Sequence, residues 1–97
     1  MAVEVFMSKM GDFMEHGVVV AWLVQEGEYV QEGQALMEIE TDKALAELEA
    51  PASGYLKGFR AGVNAGVQVP VGETIAYIVE SMDEPVEALE ALGDGAQ

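Results

Sequence analysis

Ninety-seven residues with four basic against 18 acidic side chains give a formal charge of −14, which argues against nucleic-acid or anionic-membrane partners and for partners offering basic patches. No cysteine is present, so a disulfide framework and a thiolate metal site are excluded. No run approaches the roughly 18 apolar residues of a membrane-crossing helix. The length fits one domain, and 51% hydrophobic residues supply one modest core. Met1 to Phe6 lacks the basic region and apolar run of a secretory signal and is not Arg-rich, so a cytoplasmic location is expected.

In chain order, Val3 to Met7 alternates apolar and polar residues and reads as a first strand. Ser8 to Met14 breaks the pattern, with Gly11-Asp12 marking a loop. Phe13 and Met14 are either an exposed contact or, the simpler reading, a lid on the core. His16 is the single histidine; without a companion Cys or His it reads as a solvated residue entering the next strand, with no catalytic role. Gly17 to Val24 is rich in β-branched residues and is expected to be a strand buried on both faces, with Trp22 as a core anchor. Glu26-Gly27-Glu28 turns, Tyr29-Val30 is a short strand, and Glu32-Gly33 turns again before a strand over Ala35 to Glu40.

The stretch from Met37 to Ala50 carries the most information. Met37 and Ile39 alternate with Glu38 and Glu40, and Ala46, Leu48 and Ala50 alternate with Glu47 and Glu49. Such patterning on both sides of Thr41-Asp42-Lys43-Ala44 predicts an antiparallel hairpin. The four residues suit a type I turn, with the Asp42 side chain available to bond the local backbone. Lys43 is thereby held at the tip, away from the core, among five carboxylates (Glu38, Glu40, Asp42, Glu47, Glu49). No apolar pocket or second cation lies near it in sequence to make the amine a nucleophile.

Beyond the turn cluster Ala50 to Gly54 the pattern repeats. Gly17 to Trp22 matches Gly54 to Phe59, 37 residues on, and Val30 to Leu36 matches Val69 to Ile75, 39 residues on. The two extra residues lie in Ala61 to Gly66, a surface loop where insertion costs little. No helix start follows that Gly-containing loop, so it is not a phosphate cradle. Each half has too few strands to bury a face alone. The expected fold is therefore all-β: a flattened barrel or sandwich of about eight strands, two four-stranded antiparallel sheets related by a quasi-two-fold axis. Residues 1–80 form this domain. Residues 81–97 hold five of the acidic residues and read as an acidic flexible linker. Val86, Leu89 and Leu92 could line a short helix begun by Pro85, although a helix this short is marginal alone.

Glu40-Thr41-Asp42-Lys43-Ala44 resembles the attachment motif of the lipoyl domains of 2-oxo acid dehydrogenase complexes. The likeness extends from Val3 to about Val79 and includes Met10, Gly11 and Met14 after the first strand, Trp22, and Val69-Pro70-Val71-Gly72. It implies the same two-sheet lipoyl/biotinyl fold, with Lys43 converted enzymatically to a lipoyl amide. Lipoate would be the cofactor, and Asp42 and Ala44 would serve the lipoate-attaching enzyme through turn geometry and small size. The loop with Met10, Gly11 and Asp12, together with Glu40, Thr41 and Glu47, would contribute to partner recognition. Ser8 stands where the family often has Pro, which leaves that loop less rigid. For Glu40 and Glu47, steering of partners and plain solubility both remain open.

The implied role is a swinging-arm carrier in a complex of the pyruvate type. It would work among a thiamine-diphosphate-dependent decarboxylase (E1), an acyltransferase (E2) and dihydrolipoamide dehydrogenase (E3). The domain itself would be non-catalytic, without metal, and monomeric in isolation. A biotin carrier domain shares the fold, but that family has Met-Lys-Met where this chain has Asp42-Lys43-Ala44. An unmodified β-sandwich interaction module is the alternative of a different class.

Overall fold

The computed structural model describes residues 2–10 and 14–90. Among them are eight strands and no helix: β1 (Val3–Phe6), β2 (His16–Trp22), β3 (Tyr29–Val30), β4 (Ala35–Glu40), β5 (Leu45–Glu49), β6 (Gly54–Lys57), β7 (Gln68–Pro70) and β8 (Thr74–Val79). They form two four-stranded antiparallel sheets, one ordered β1-β8-β6-β3 and the other β5-β4-β2-β7. Advancing each strand of the first sheet by four, cyclically, reproduces the order of the second. The repeat read from the sequence is thus the repeat of the fold.

The same symmetry governs the hydrogen bonds that tie the turns to the sheets. Gly27 N–H donates to Leu56 C=O (2.8 Å), and its counterpart Gly66 N–H donates to Val19 C=O (2.7 Å). Leu23 N–H to Leu36 C=O and Arg60 N–H to Ile75 C=O form another pair, both 2.8 Å. Gly33 and Gly72 turn the chain in equivalent places with φ of 87° and 96°, a region open mainly to glycine. Trp22 and Phe59, equivalent by sequence, stack on each other with centroids 4.3 Å apart. That stack joins the two halves, and Trp22 also donates Nε1–H to Val63 C=O (2.8 Å). Trp22 therefore packs against the core from a half-buried position rather than lying within it.

Both sheets turn one face inward. Val5, Met7, Val19, Val30, Leu36, Met37, Ile39, Leu56, Val69, Ile75 and Ile78 are all buried in one cluster. Full burial of each such side chain contributes roughly 1.5–3 kcal/mol, set against the entropy of ordering the chain. Met14 is buried with them, as a core lid, while Phe13 lies outside the described residues. The edge strands β3 and β7 have two and three residues, and β7 carries Pro70, whose missing N–H an edge strand tolerates.

One expectation is corrected. The stretch from Gly17 to Val24 is not buried on both faces: Val20 in β2 is 36% exposed, and Leu23, just after the strand, is 46% exposed. β-branched residues suit any pleated surface, so a Val run does not report how many faces are covered. The register also shifts between Val19 and Ala21. The short helix considered for residues 85–90 and judged marginal does not form; Leu92 lies outside the described residues. Lys57 donates to the carbonyls of Met82 and Glu84, and Arg60 to that of Glu90.

Candidate functional site at the β4–β5 hairpin

Five register pairs align β4 with β5, from Ala35↔Glu49 to Glu40↔Leu45. Alternation sends Ile39, Ala46, Met37 and Leu48 inward and Glu38, Glu40, Leu45 and Glu47 outward. Residues 41–44 close the hairpin, with Thr41 N–H donating to Ala44 C=O at 2.9 Å. Two-residue hairpin turns ordinarily place both central residues at positive φ, but Asp42 and Lys43 do not have it. The turn is completed by a side chain instead. Thr41 Oγ1 accepts from Ala44 N–H (3.1 Å) and Lys43 N–H (3.3 Å) and donates to Ala44 C=O (2.9 Å). The backbone-bonding role expected of Asp42 thus belongs to Thr41, because the threonine sits one residue earlier, at the hairpin base, where its hydroxyl faces the returning strand.

Asp42, Lys43 and Ala44 are all exposed. Among the described residues the Lys43 ammonium has no hydrogen bond or ion pair, and the same holds for the Asp42 carboxylate. The tip presents one primary amine on a backbone fixed by three hydrogen bonds to one hydroxyl. Beside it Ala44 leaves the approach open.

The base of the hairpin is braced by the neighbouring strand β2 and by the β1–β2 connection. Gly17, near the start of β2, has no room for a side chain: a Cβ would lie 2.6 Å from Ile39 Cγ2, 3.1 Å from Met7 Sδ and 3.2 Å from Met14 Cε. Met10 N–H donates to Met14 Sδ (3.1 Å), and Met10 itself packs against the core. These methionines draw both ends of the β1–β2 connection toward the hairpin. Met14, Glu15, His16, Val18, Glu40, Thr41 and Asp42 line one shallow groove of about 260 Å³. Gly11 and Asp12 lie outside the described residues. His16 is exposed, opens β2 and meets Gln68 Nε2 at 3.1 Å.

Around the tip the charge is one-sided. Glu38 and Glu47 are directly opposite across β4 and β5, an unfavourable like-charge pair. Glu40 faces exposed Leu45. Sequence reading names Glu47 but misses its pairing with Glu38, since the residues reveal alternation but not register. It also misses Glu26, whose Oε2 accepts from Gly58 N–H (2.9 Å) and Phe59 N–H (3.3 Å).

A two-sheet β-domain that holds one lysine at the tip of a rigid hairpin has the build of a prosthetic-group attachment domain. Residues 3–78 match the sequence family described as Biotin-requiring enzyme, the biotin/lipoyl group, and the chain belongs to that family as a domain of the lipoyl type. Among relatives, it is 34% identical over 88% of its length to a dihydrolipoyllysine-residue acetyltransferase component of the chloroplastic pyruvate dehydrogenase complex of Arabidopsis thaliana. It is 40% identical over 84% of its length to the corresponding component of the acetoin cleaving system of Pseudomonas putida. It spans about a fifth of each of those proteins, 18% and 21%. The lipoyl domain of the 2-oxoglutarate dehydrogenase complex of Azotobacter vinelandii superposes with a TM-score of 0.63 at 27% identity, covering 80% of this chain and 96% of that one.

Proposed function

We propose that Lys43 is the attachment point of lipoate and that the domain carries acyl groups and electrons between the active sites of a 2-oxo acid dehydrogenase complex, of the pyruvate type. The observation that carries this reading is the free, exposed Lys43 amine between Asp42 and Ala44 on a turn fixed by Thr41. The residues fit the group: an amide can form on this amine without breaking any described contact. A biotin-type domain is the alternative within the family, and the Asp-Lys-Ala tip favours lipoate.

The dithiolane, once bound, supplies the redox and acyl-transfer chemistry. The domain's residues orient and present. The Thr41 hydroxyl holds the Lys43 backbone, so the arm pivots from a defined point. The β4–β5 ladder keeps that point clear of the core. Conversion of the ammonium to an amide takes the net charge from −14 to −15, leaving Glu38, Glu40, Asp42 and Glu47 to face partners with basic surfaces. Those partners are the thiamine-diphosphate-dependent decarboxylase (E1), the acyltransferase (E2), dihydrolipoamide dehydrogenase (E3) and the lipoate-attaching enzyme. Bond-making steps belong to them, since the domain is a carrier.

The test of complex type is reductive acylation of the lipoylated chain by decarboxylases specific for pyruvate, 2-oxoglutarate and acetoin. The pyruvate enzyme should acylate it far faster than it acylates free lipoamide. Preference for another decarboxylase would reassign the complex; no rate above free lipoamide with any of them would reject the carrier role.

A further inference from the structure

The outer face of the first sheet is covered along β8, where a two-sheet domain would ordinarily meet water, while Tyr29 and Tyr55 toward the β3 edge stay exposed. Leu56 and Ile78 are paired and point into the core. Their neighbours Tyr55, Lys57, Tyr77 and Val79 must therefore point outward. Yet Tyr77 is only 8% and Val79 only 1% exposed, and neither belongs to the core cluster.

Residues 81–90 run along this face. The chain turns back after β8, with Glu84 N–H donating to Ser81 C=O (2.9 Å) and Asp83 N–H to Ser81 Oγ (3.3 Å). Lys57 Nζ then donates to both Met82 C=O (2.7 Å) and Glu84 C=O (2.5 Å). Val86 Cγ2 and the Tyr77 ring close over Gly58, where a Cβ would find them at 3.0 and 3.2 Å. Farther on, Arg60 Nε donates to Glu90 C=O (2.7 Å), while its Nη1 donates to Glu73 Oε1 (2.7 Å) and Thr74 C=O (2.9 Å). Half of the chain's four basic residues thus engage this segment. These three hydrogen bonds go to main-chain carbonyls of the segment, and the Glu84 side chain accepts a further one from Glu80 N–H (3.3 Å).

We infer that the outer face of β6 and β8 is a docking surface whose occupant is residues 81–90, a strap that carries the folded domain on to Glu90. The strap changes where a tether leaves the domain. β8 begins at Thr74, beside Phe6 and Met7 and so at the end that holds the Lys43 hairpin, and it runs away from that end to Val79. The strap reverses the direction and returns the chain to Arg60 and Thr74. At Glu90 the chain therefore lies over the sheet opposite Lys43, at the same end as Lys43, and about ten residues that would otherwise extend from Glu80 are docked on the domain.

The test uses the full chain, with or without modification at Lys43, and reads backbone ¹⁵N relaxation and chemical shifts. Residues 82–90 should show heteronuclear NOE values equal to those of β6 and β8. Val86→Asp should lower them to the values of a disordered segment while β4 and β5 stay unchanged, and should shift the Gly58 and Tyr77 resonances. Lys57→Met, which removes two donors and touches no core residue, should loosen 82–84 and move the same resonances. Disordered NOE values for 82–90 in the unmutated chain would overturn the proposal. So would Gly58 and Tyr77 resonances that stay in place in both variants.

Discussion

Thr41 is the residue on which the geometry of the tip depends. Its hydroxyl makes three solvent-exposed hydrogen bonds to the turn, which together contribute about 1 kcal/mol net. Thr41→Ala should lower stability by about 1 kcal/mol in urea unfolding and slow acylation of Lys43 by a lipoate-attaching enzyme, whereas Thr41→Ser should retain both. Equal rates for Thr41→Ala and the unmutated chain would show that the enzyme does not read the turn. Lys43→Gln should leave stability within about 0.5 kcal/mol, as for surface substitutions generally, because the amine contacts nothing described. The position of Lys43 is legible in the sequence because alternation on both sides of four turn residues allows only a hairpin. The division of labour between Thr41 and Asp42 is not, since both are side chains that bond turn backbones and only the observed φ values and register decide between them.

At the scale of strands and their pairing, the quasi-equivalent glycines separate two kinds of crowding. A Cβ added at Gly17 would meet a side chain, Ile39 Cγ2 at 2.6 Å, but one added at Gly54 would meet a backbone carbonyl, Val79 C=O at 2.5 Å, and Ile78 Cγ2 at 2.7 Å. Side chains repack more readily than a strand moves. Gly17→Ala should therefore cost about 1–3 kcal/mol, and Gly54→Ala more, to the point of disturbing β6–β8 pairing. Thermal unfolding of both variants checks the order, and a costlier Gly17→Ala would contradict it. The Glu38–Glu47 pair gives a prediction of opposite sign. Glu47→Lys replaces cross-strand repulsion with attraction and should raise stability by about 0.5 kcal/mol, read as a higher urea midpoint at constant m; an unchanged or lower midpoint would mean that solvent screens the pair. Strand existence was readable from Val3 to Val79 because the two halves corroborate each other. The exposed face of β2 was not, because valine serves covered and open faces alike.

The whole molecule combines a two-sheet carrier body with an acidic surface in which its few cations are embedded. The quasi-two-fold order of the sheets is foreshadowed by the matched segments at Gly17 and Gly54 and at Val30 and Val69. The path of residues 81–90 is foreshadowed by nothing in their composition, which is acidic and proline-containing. They are held through backbone carbonyls, and every residue has one. Lys57 and Arg60 look like ordinary surface cations until the fold sets them beside that path. The tip of the hairpin and the strap thus mark the two limits of reading this chain: one follows from side-chain pattern, the other from main-chain placement.

The central claim is the chemical identity of the group on Lys43. The chain should be produced with a lipoate-attaching and a biotin-attaching enzyme competing for it, then analysed by intact mass and peptide mapping. One lipoyl amide, confined to Lys43 and lost in Lys43→Gln, is the expected result. A biotin adduct, an adduct on Lys9 or Lys57, or an unmodified but folded chain would contradict it.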